Sequence, residues 1–298
     1  MRALVISGGG SKGAFAGGVA QYLLEIEKNK YDILIGTSTG SLLVSHLALN
    51  KIDEIRTAFT SVNQNSIFSN SPFTVKYKNG EFSIRINHFH VLLSFLRKSK
   101  TFGESLNLKK LIKNTITEVD FNELKKRNID VVITVTNLTQ NRAEYKSIND
   151  FDYDEFCEWI WISCNYVPFM SMVTKNNADY GDGGFSALVP IEEAVKRGAK
   201  EIDVIVLDIE NKVTPKVLGK NPFSLLLNLF SSLLDQVRKD DIEIGKLAAI
   251  NENVKLNFYY TPNALTSNSL IFNKTQMESW WHEGFDYAKS KLKKESKE

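Results

Sequence analysis

The sequence begins with a short apolar run that passes through glycines into a segment of helical period, ALVISGGGSKGAF at residues 3–15. Ala3–Ser7 has the length and composition of a buried strand, and Ala14–Lys28 repeats its apolar residues at helical spacing. The glycines of Gly8–Gly13 permit a sharp turn and a close approach to a ligand, while N–H groups at a helix start attract anions. The stretch therefore predicts a strand, an anion-binding loop and a helix. The anion is a dinucleotide pyrophosphate or the oxyanion of an acyl-transfer intermediate.

The same alternation of strand and helix continues along the chain. Further predicted strands are Asp32–Gly36, Val131–Thr136, Val204–Asp208 and Val254–Tyr260. Further predicted helices are Ser41–Asn50, Leu106–Thr117, Tyr153–Ile162 and Ile191–Arg197. This order predicts an α/β fold, with a mostly parallel central sheet covered by helices on both faces. Residues 63–101 are the least regular stretch, with a hairpin arm predicted at Glu81–Ile86.

Composition limits the class of protein. The chain has 298 residues, 37 Lys and Arg against 35 Asp and Glu, and a net charge of +2. This balance gives no broad basic field, which argues against a nucleic-acid partner. No linker rich in Pro or Gly divides the chain, so we expect one domain over residues 1–298. Its motifs lie within residues 1–210, and residues 211–298 supply helices and a strand without a recognised motif.

Neither a signal peptide nor a membrane span is expected. The apolar run after Arg2 is too short for a signal peptide, and Phe223–Leu234 is too short to span a bilayer. Cys157 and Cys164 lie seven apart in one predicted helix and face different sides of it, which favours free thiols. We therefore expect a cytoplasmic protein with peripheral membrane contact, and export by a signal-independent route stays open.

A second glycine motif, Gly36-Thr37-Ser38-Thr39-Gly40, again lies between a predicted strand and a predicted helix. The pattern Gly-x-Ser-x-Gly is typical of a nucleophile elbow, in which a serine sits on a tight turn flanked by residues without side chains. Ser38 is therefore the candidate nucleophile, and Gly36 and Gly40 support its turn.

A serine nucleophile needs a base. The histidines His46, His88, His90 and His282 have no supporting motif, and His46 is expected to pack within its helix. The turn at Asp182-Gly183-Gly184 would hold Asp182 close to a neighbouring backbone, and by itself it indicates a simple turn or a functional aspartate equally. Asp208, at the end of a predicted strand, lies where α/β sheets place functional groups and is the reserve candidate for the base.

Taken together and in this order, the three motifs resemble those of the patatin-like phospholipase family. Its oxyanion motif matches Gly8–Gly13, its serine motif matches Gly36–Gly40, and its aspartate motif matches Asp182–Gly184. Ser163–Phe169 and Val189–Gly198 are similar to the segments that flank the aspartate motif in the family. The resemblance spans roughly residues 1–210 and implies a three-layer α/β/α fold.

The resemblance also implies a mechanism. Ser38 would attack an ester carbonyl of a phospholipid or related lipid ester, and Asp182 would serve as base in a dyad without histidine. The oxyanion hole would comprise N–H groups of Gly8, Gly9, Gly10 and Gly13, chiefly around Gly9 and Gly10. No metal or cofactor is implied.

Several supporting residues have two interpretations. Lys12 steadies the oxyanion loop or attracts lipid phosphate, or it is a solvated surface lysine. Asn165 and Tyr166 are wall or packing residues. Pro222–Val237 and Phe89–Leu96 carry apolar helical stripes, which suit either lipid contact or packing on the core, and we expect packing on the core.

Two alternatives differ in class from a hydrolase. One is a nucleotide- or NAD(P)-binding protein that uses Gly8–Gly13. It lacks the acidic residue expected at the end of the second strand, because Asp32 begins that strand. A Walker-type loop is excluded, because Lys12 precedes the last glycine and Ala14 stands at the lysine position. The other alternative is a non-catalytic lipid-binding module on the same fold.

Overall fold

A computed structural model of the chain describes residues 1–78, 81–210, 222–266 and 268–295. The strands are β1 (Arg2–Ile6), β2 (Ile33–Thr37), β3 (Phe73–Lys78), β4 (Glu81–Ile86), β5 (Asp130–Asn137), β6 (Arg142–Ser147), β7 (Val173–Lys175), β8 (Ala178–Asp182), β9 (Glu201–Val206) and β10 (Lys255–Tyr260). The helices are α1 (Gly13–Gln21), α2 (Thr39–Leu49), α3 (Ile52–Ser61), α4 (Gln64–Ile67), α5 (His88–Leu96), α6 (Leu106–Thr115), α7 (Glu118–Lys126), α8 (Tyr153–Ser163), α9 (Ile191–Lys196), α10 (Pro222–Asn251) and α11 (Lys274–Glu295).

The central sheet is mixed but mostly parallel. Its strand order is β10-β9-β1-β2-β5-β8-β7, and β6 also pairs with β5. Neighbours from β10 to β5 pair in parallel, whereas β6, β7 and β8 join by antiparallel pairing. The predicted parallel sheet is confirmed, and its antiparallel edge is an addition that the sequence analysis did not anticipate.

Helices cover both faces of the sheet, as predicted. Side chains alternate along β1, so that Leu4 and Ile6 enter one core while Ala3 and Val5 enter the other. The first core is closed by α1, α2, α3, α6, α7, α8 and α11, and the second by α9 and α10. The result is a three-layer α/β/α arrangement.

The predicted hairpin arm at Glu81–Ile86 is confirmed as β4, which pairs with β3, and the stretch 63–101 also includes α4 and α5. Two other local expectations were wrong. The first helix ends at Gln21 and continues as one π-helical turn, Tyr22–Ile26. Cys164 follows the last residue of α8 rather than lying inside the helix, although both cysteines are free and buried as expected.

Residues beyond 210 complete the same sheet and core. Strand β10 pairs in parallel with β9 at the sheet edge, and Trp281 of α11 is fully buried against α1. Helix α10 is the longest described helix, with 30 residues. Neither it nor any other described helix is long and apolar enough to cross a membrane.

Candidate active site

The two glycine motifs and Asp182 meet at one edge of the sheet. Residues 7–12 follow the carboxyl end of β1, Ser38 follows the carboxyl end of β2, and Asp182 is the last residue of β8. Strand β5 lies between β2 and β8, where it pairs Thr134 with Thr37 and Val135 with Asp182. Ser38 and Asp182 therefore leave the sheet at the same level, on opposite sides of β5. This is the edge at which open α/β sheets bind their ligands.

Ser38 occupies a strained turn between β2 and α2. Its φ of 52° is positive, and ψ is −119°, a conformation that L-residues adopt only where surrounding structure enforces it. Gly36 and Gly40 enforce it by close approach, since a Cβ on Gly36 would overlap the backbone of Gly40, and one on Gly40 would overlap the Ile6 carbonyl. The local geometry is that of a nucleophile elbow.

Ser38 and Asp182 form a direct hydrogen bond. Ser38 Oγ donates to Asp182 Oδ2 at 2.6 Å, and Gly184 N–H donates to Asp182 Oδ1 at 2.8 Å. Asp182 is only 6% exposed. Burial raises the pKa of Asp182 to about 6, against the opposing effect of the hydrogen bonds from Ser38 and Gly184. A carboxylate with a raised pKa is a better proton acceptor than an exposed aspartate.

Some N–H groups of the glycine loop form hydrogen bonds within the fold, and others are left for the site. Gly8 N–H donates to Leu188 O at 3.2 Å, and Gly13 N–H bonds within its own helical turn. We expected both as oxyanion donors, and the structure gives their N–H groups other acceptors. Within the described part of the chain, no acceptor is assigned to the N–H groups of Gly9, Gly10 and Thr39. All three residues line the same cavity as Ser38.

Gly13 and Lys12 hold the loop in place. A Cβ on Gly13 would overlap Thr39, so its missing side chain lets the starts of α1 and α2 meet. Lys12 is half-buried, and its Nζ donates to Leu207 O at 2.5 Å. The interpretation of Lys12 as a solvated surface lysine is therefore wrong, and its contact ties the loop to the end of β9.

The histidines and the reserve base have other partners. His46 is buried in α2, where its Nε2 hydrogen-bonds Thr115 O at 3.1 Å, as expected of a packing residue. His90 bonds Phe102 O, and His282 lies against Arg56 and Glu278.

Asp208 also lies beyond its strand, since β9 ends at Val206. Its carboxylate is 3.8 Å from Arg238, and no hydrogen bond from Ser38 to Asp208 is recorded among the described residues.

Ser38 lies in the lining of a cavity of about 430 Å³, whose other lining residues include an apolar and a polar group. The apolar group, called the apolar arm, comes from α2, α3, β3 and α6 and includes Leu42, Ile55, Phe59, Phe73, Leu108 and Ile112. His46 and Thr115 also line the cavity, and their hydrogen bond joins α2 to α6. The polar group, called the polar arm, includes Lys12, Asp208, Asn228, Ser231, Asp235 and Arg238. Such a cavity suits a molecule with one apolar and one polar end.

Four contributors to the site were missed by sequence reasoning. Ser163 and Cys164 hold the Ser38 backbone: Ser38 N–H donates to Ser163 Oγ at 2.9 Å, and Cys164 Sγ donates to Ser38 O at 3.1 Å. His46 and Arg238 line the apolar and polar arms. The segment after α8 carried the signal for the first two, but only Asn165 and Tyr166 were singled out there. Tyr166 lines the cavity, and Asn165 is buried, accepting from Ser105.

The expected packing of the two apolar stripes is only partly correct. On α10, Leu227, Phe230, Leu234 and Val237 are half-buried, but Leu226 and Leu233 are exposed, and the side chain of Phe223 lies outside the described residues. On α5 the expectation was wrong, because Phe89, Leu92, Phe95 and Leu96 are all exposed.

The position of Asp32 argues against a nucleotide-binding protein. Asp32 precedes β2, where its Oδ2 accepts from Arg2 N–H at 2.8 Å. That is the amino end of the sheet, opposite the glycine loop. An acid at this end cannot bind a ribose whose pyrophosphate lies at Gly8–Gly13.

The fold and the site define a class: an α/β protein with a Ser–Asp pair beside a glycine loop at the carboxyl edge of its sheet. The patatin-like phospholipase family matches residues 4–195, and the chain belongs to that family. The crystal structure of VipD from Legionella pneumophila is similar in fold, with a TM-score of 0.54 and 14% identity over 98% of this chain and 67% of VipD. No curated protein matches the sequence. Family membership supports lipid acyl hydrolase activity.

Proposed function

We propose that this protein is a serine acyl hydrolase that releases fatty acid from phospholipids or related lipid esters through an acyl-enzyme on Ser38. The observation that carries the proposal is the 2.6 Å hydrogen bond from Ser38 Oγ to Asp182 Oδ2. This contact supports a catalytic dyad in which Ser38 is the nucleophile and Asp182 is the base.

In the first half-reaction, Ser38 Oγ attacks the ester carbonyl carbon while its proton passes to Asp182. The carbonyl oxygen becomes an oxyanion, which the N–H groups of Gly9, Gly10 and Thr39 stabilise. Each such donor typically contributes about 10²–10³ in rate. Collapse of the intermediate breaks the ester C–O bond, and the proton on Asp182 goes to the departing alcohol oxygen.

The second half-reaction repeats these steps with water. Asp182 accepts a proton from a water molecule that attacks the acyl-enzyme. As the intermediate collapses, the bond from the acyl carbon to Ser38 Oγ breaks, and Asp182 gives its proton to Ser38 Oγ. Release of the fatty acid restores the starting state. The raised pKa of Asp182, about 6, suits both proton transfers near neutral pH.

The cavity fits a lipid placed with its acyl chain in the apolar arm. Along α2, Thr39, Leu42 and His46 line the cavity, and the eight steps from Ser38 to His46 span about 12 Å at about 1.5 Å each. With about 1.25 Å per methylene, from a C–C length near 1.5 Å, the arm holds about ten carbons. His46 suits an apolar end, because burial lowers its pKa and favours the neutral ring.

The polar arm is where we place the glycerol and head group. Arg238 is 4% exposed and pairs with Asp235 at 2.8 Å and with Asp208 at 3.8 Å. Together with Lys12, these groups give the arm two positive and two negative side chains. These charged side chains suit contact with the polar end of a phospholipid and disfavour contact with an acyl chain.

The decisive experiment is hydrolysis of a chain-length series of p-nitrophenyl esters by the purified protein and by Ser38→Ala. Turnover should rise with chain length towards about ten carbons and disappear in Ser38→Ala. The matched control is Ser45→Ala, since Ser45 is buried in α2, the helix that follows Ser38, and its Oγ makes no hydrogen bond within the described residues. Turnover that survives in Ser38→Ala contradicts the dyad. Binding of NAD(P) without turnover would favour the nucleotide alternative.

A further inference from the structure

The first half of α10 presents an apolar face to solvent. Leu225, Leu226, Leu229 and Leu233 are 56%, 37%, 54% and 56% exposed. Residues 225–234 contain no charged side chain. The opposite face of the same helix supplies Leu227 and Leu234 to the cavity wall. The helix thus has apolar side chains on both faces, although only one face is covered.

Helix α5 presents a second face of the same kind. Phe89, Leu92, Phe95 and Leu96 are 71%, 56%, 66% and 71% exposed. Their spacing of three or four residues places them on one side of the helix. Exposed cations follow directly, at Arg97, Lys98 and Lys100, and residues 88–103 contain no Asp or Glu. Lys100 pairs with Asp179 at 3.8 Å, so Arg97 and Lys98 supply the positive charge next to this face. This face is therefore both apolar and bordered by positive charge.

A row of aromatic rings connects the two faces. Phe95 contacts Phe102 with ring centroids 5.5 Å apart, Phe102 contacts Phe169 at 6.2 Å, and Phe169 contacts Phe230 of α10 at 6.1 Å. Phe230 also lies 6.3 Å from Tyr166, which lines the cavity. The exposed faces of α5 and α10 therefore lie at the two ends of one ring row, beside the wall of the active-site cavity.

We propose that these eight exposed side chains form one docking surface for an anionic lipid bilayer; its members are Phe89, Leu92, Phe95, Leu96, Leu225, Leu226, Leu229 and Leu233. Clustered apolar side chains that stay exposed mark interaction sites. A bilayer accepts the apolar side chains at its interface, and its negative surface attracts Arg97 and Lys98. A second copy of the chain fits less well, because a two-fold contact through this surface brings two basic segments and no acidic one into the same interface.

The surface deepens the proposed function, because it would hold the cavity against the membrane that carries its substrate. Docking itself does not depend on hydrolysis, so the two are tested separately. Binding is measured with Ser38→Ala protein, which leaves the vesicles intact. Catalysis is measured with a water-soluble short-chain ester, which does not require a bilayer.

The binding experiment is co-sedimentation of full-length Ser38→Ala protein with vesicles. The vesicles contain phosphatidylcholine alone or phosphatidylcholine with about 30% phosphatidylglycerol, since anionic lipid supplies the attraction. Two double variants alter the surface, Leu229→Ser/Leu233→Ser and Phe89→Ser/Leu92→Ser. The matched control is Leu247→Ser/Ile250→Ser, at the far end of α10, where the side chains are 62% and 75% exposed.

We expect the Ser38→Ala protein to bind anionic vesicles, each surface variant to bind about tenfold more weakly, and the control to be unchanged. Arg97→Gln/Lys98→Gln should remove most of the preference for anionic over neutral vesicles. Equal loss in the control, or no binding to either vesicle, overturns the docking surface. A surface variant that instead converts a dimer into a monomer by light scattering assigns the face to a second copy.

Hydrolysis separates the two proposals. In a background with Ser38 intact, the surface variants should cleave the soluble ester normally and phospholipid vesicles about tenfold more slowly. Vesicle binding without any ester hydrolysis contradicts the proposed function and leaves the surface standing. Hydrolysis of vesicles that is the same in surface variants and control contradicts the surface and leaves the proposed function standing.

Discussion

Ser163 Oγ accepts a 2.9 Å hydrogen bond from the backbone N–H of Ser38 and donates a 2.6 Å hydrogen bond to Thr134 O. Ser163 is the last residue of α8 and is fully buried. One hydroxyl thus joins the strained turn at Ser38 to strand β5 of the central sheet. A backbone with positive φ needs such support to keep its conformation. The position of Ser38 Oγ therefore depends on a residue 125 positions further along the chain.

Ser163→Ala should lower both kcat and stability. The substitution leaves Ser38 N–H and Thr134 O without their partner, which costs about 1–3 kcal/mol in unfolding free energy. A displaced nucleophile should reduce kcat by about tenfold to a hundredfold, with KM little changed. Urea unfolding and ester hydrolysis measure the two effects. Ser45→Ala is the control, and an unchanged kcat in folded Ser163→Ala shows that the bridge does not position Ser38.

Ester hydrolysis should decline at acidic pH, and the acidic limb of its pH–rate profile should have an apparent pKa of about 6. Burial raises the pKa of Asp182 to about 6, and below that value the carboxyl is protonated and cannot accept the proton of Ser38. We expect kcat/KM for a soluble ester to fall about tenfold per pH unit below about pH 6. Asp241 is the matched control, because burial also raises its pKa to about 6. A profile that loses its acidic limb in Asp241→Asn contradicts the assignment to Asp182.

Asp182→Asn should stabilise the protein while it abolishes turnover. The pKa of Asp182 is 3.8 when exposed and about 6 in the folded state, so folding disfavours the charged carboxylate. This penalty is absent below pH 3.8 and complete above about pH 6, where it amounts to about 2–3 kcal/mol. By urea unfolding, the gain of Asp182→Asn over the parent should be present near about pH 8 and vanish near about pH 4. If Asp182→Asn instead lowers the unfolding free energy by the same amount at both pH values, this account is contradicted.

The parts of the fold and site that depend on local sequence could be predicted. The strand, the loop and the helix within residues 3–21 follow from composition and glycine placement alone. The serine turn follows from Gly36 and Gly40, because only residues without side chains permit that close approach. The pairing of Ser38 with Asp182 needed the family resemblance, since nothing local to either residue indicates the other.

Contacts between distant segments were not predictable. The bond of Ser163 to Ser38, the bond of His46 to Thr115 and the acceptor of Gly8 N–H all join separate elements, and no spacing in the sequence encodes them. Periodicity likewise predicted the apolar stripes of α5 and α10 but not what would cover them. A stripe has the same period whether it meets a core or solvent.

Variants on α2 should change the preferred acyl chain length in opposite directions. Leu42 lines the apolar arm one turn beyond Ser38, at about 6 Å, and His46 lies at about 12 Å. Leu42→Trp should block the arm and lower the optimum to about five carbons, whereas His46→Ala should open its end and raise the optimum above about ten. The p-nitrophenyl ester series measures both optima. Because any general loss of stability lowers turnover at every length, opposite shifts distinguish a change in the arm from damage to the fold. If both variants keep the chain-length profile of the parent protein, the acyl chain does not lie beneath α2.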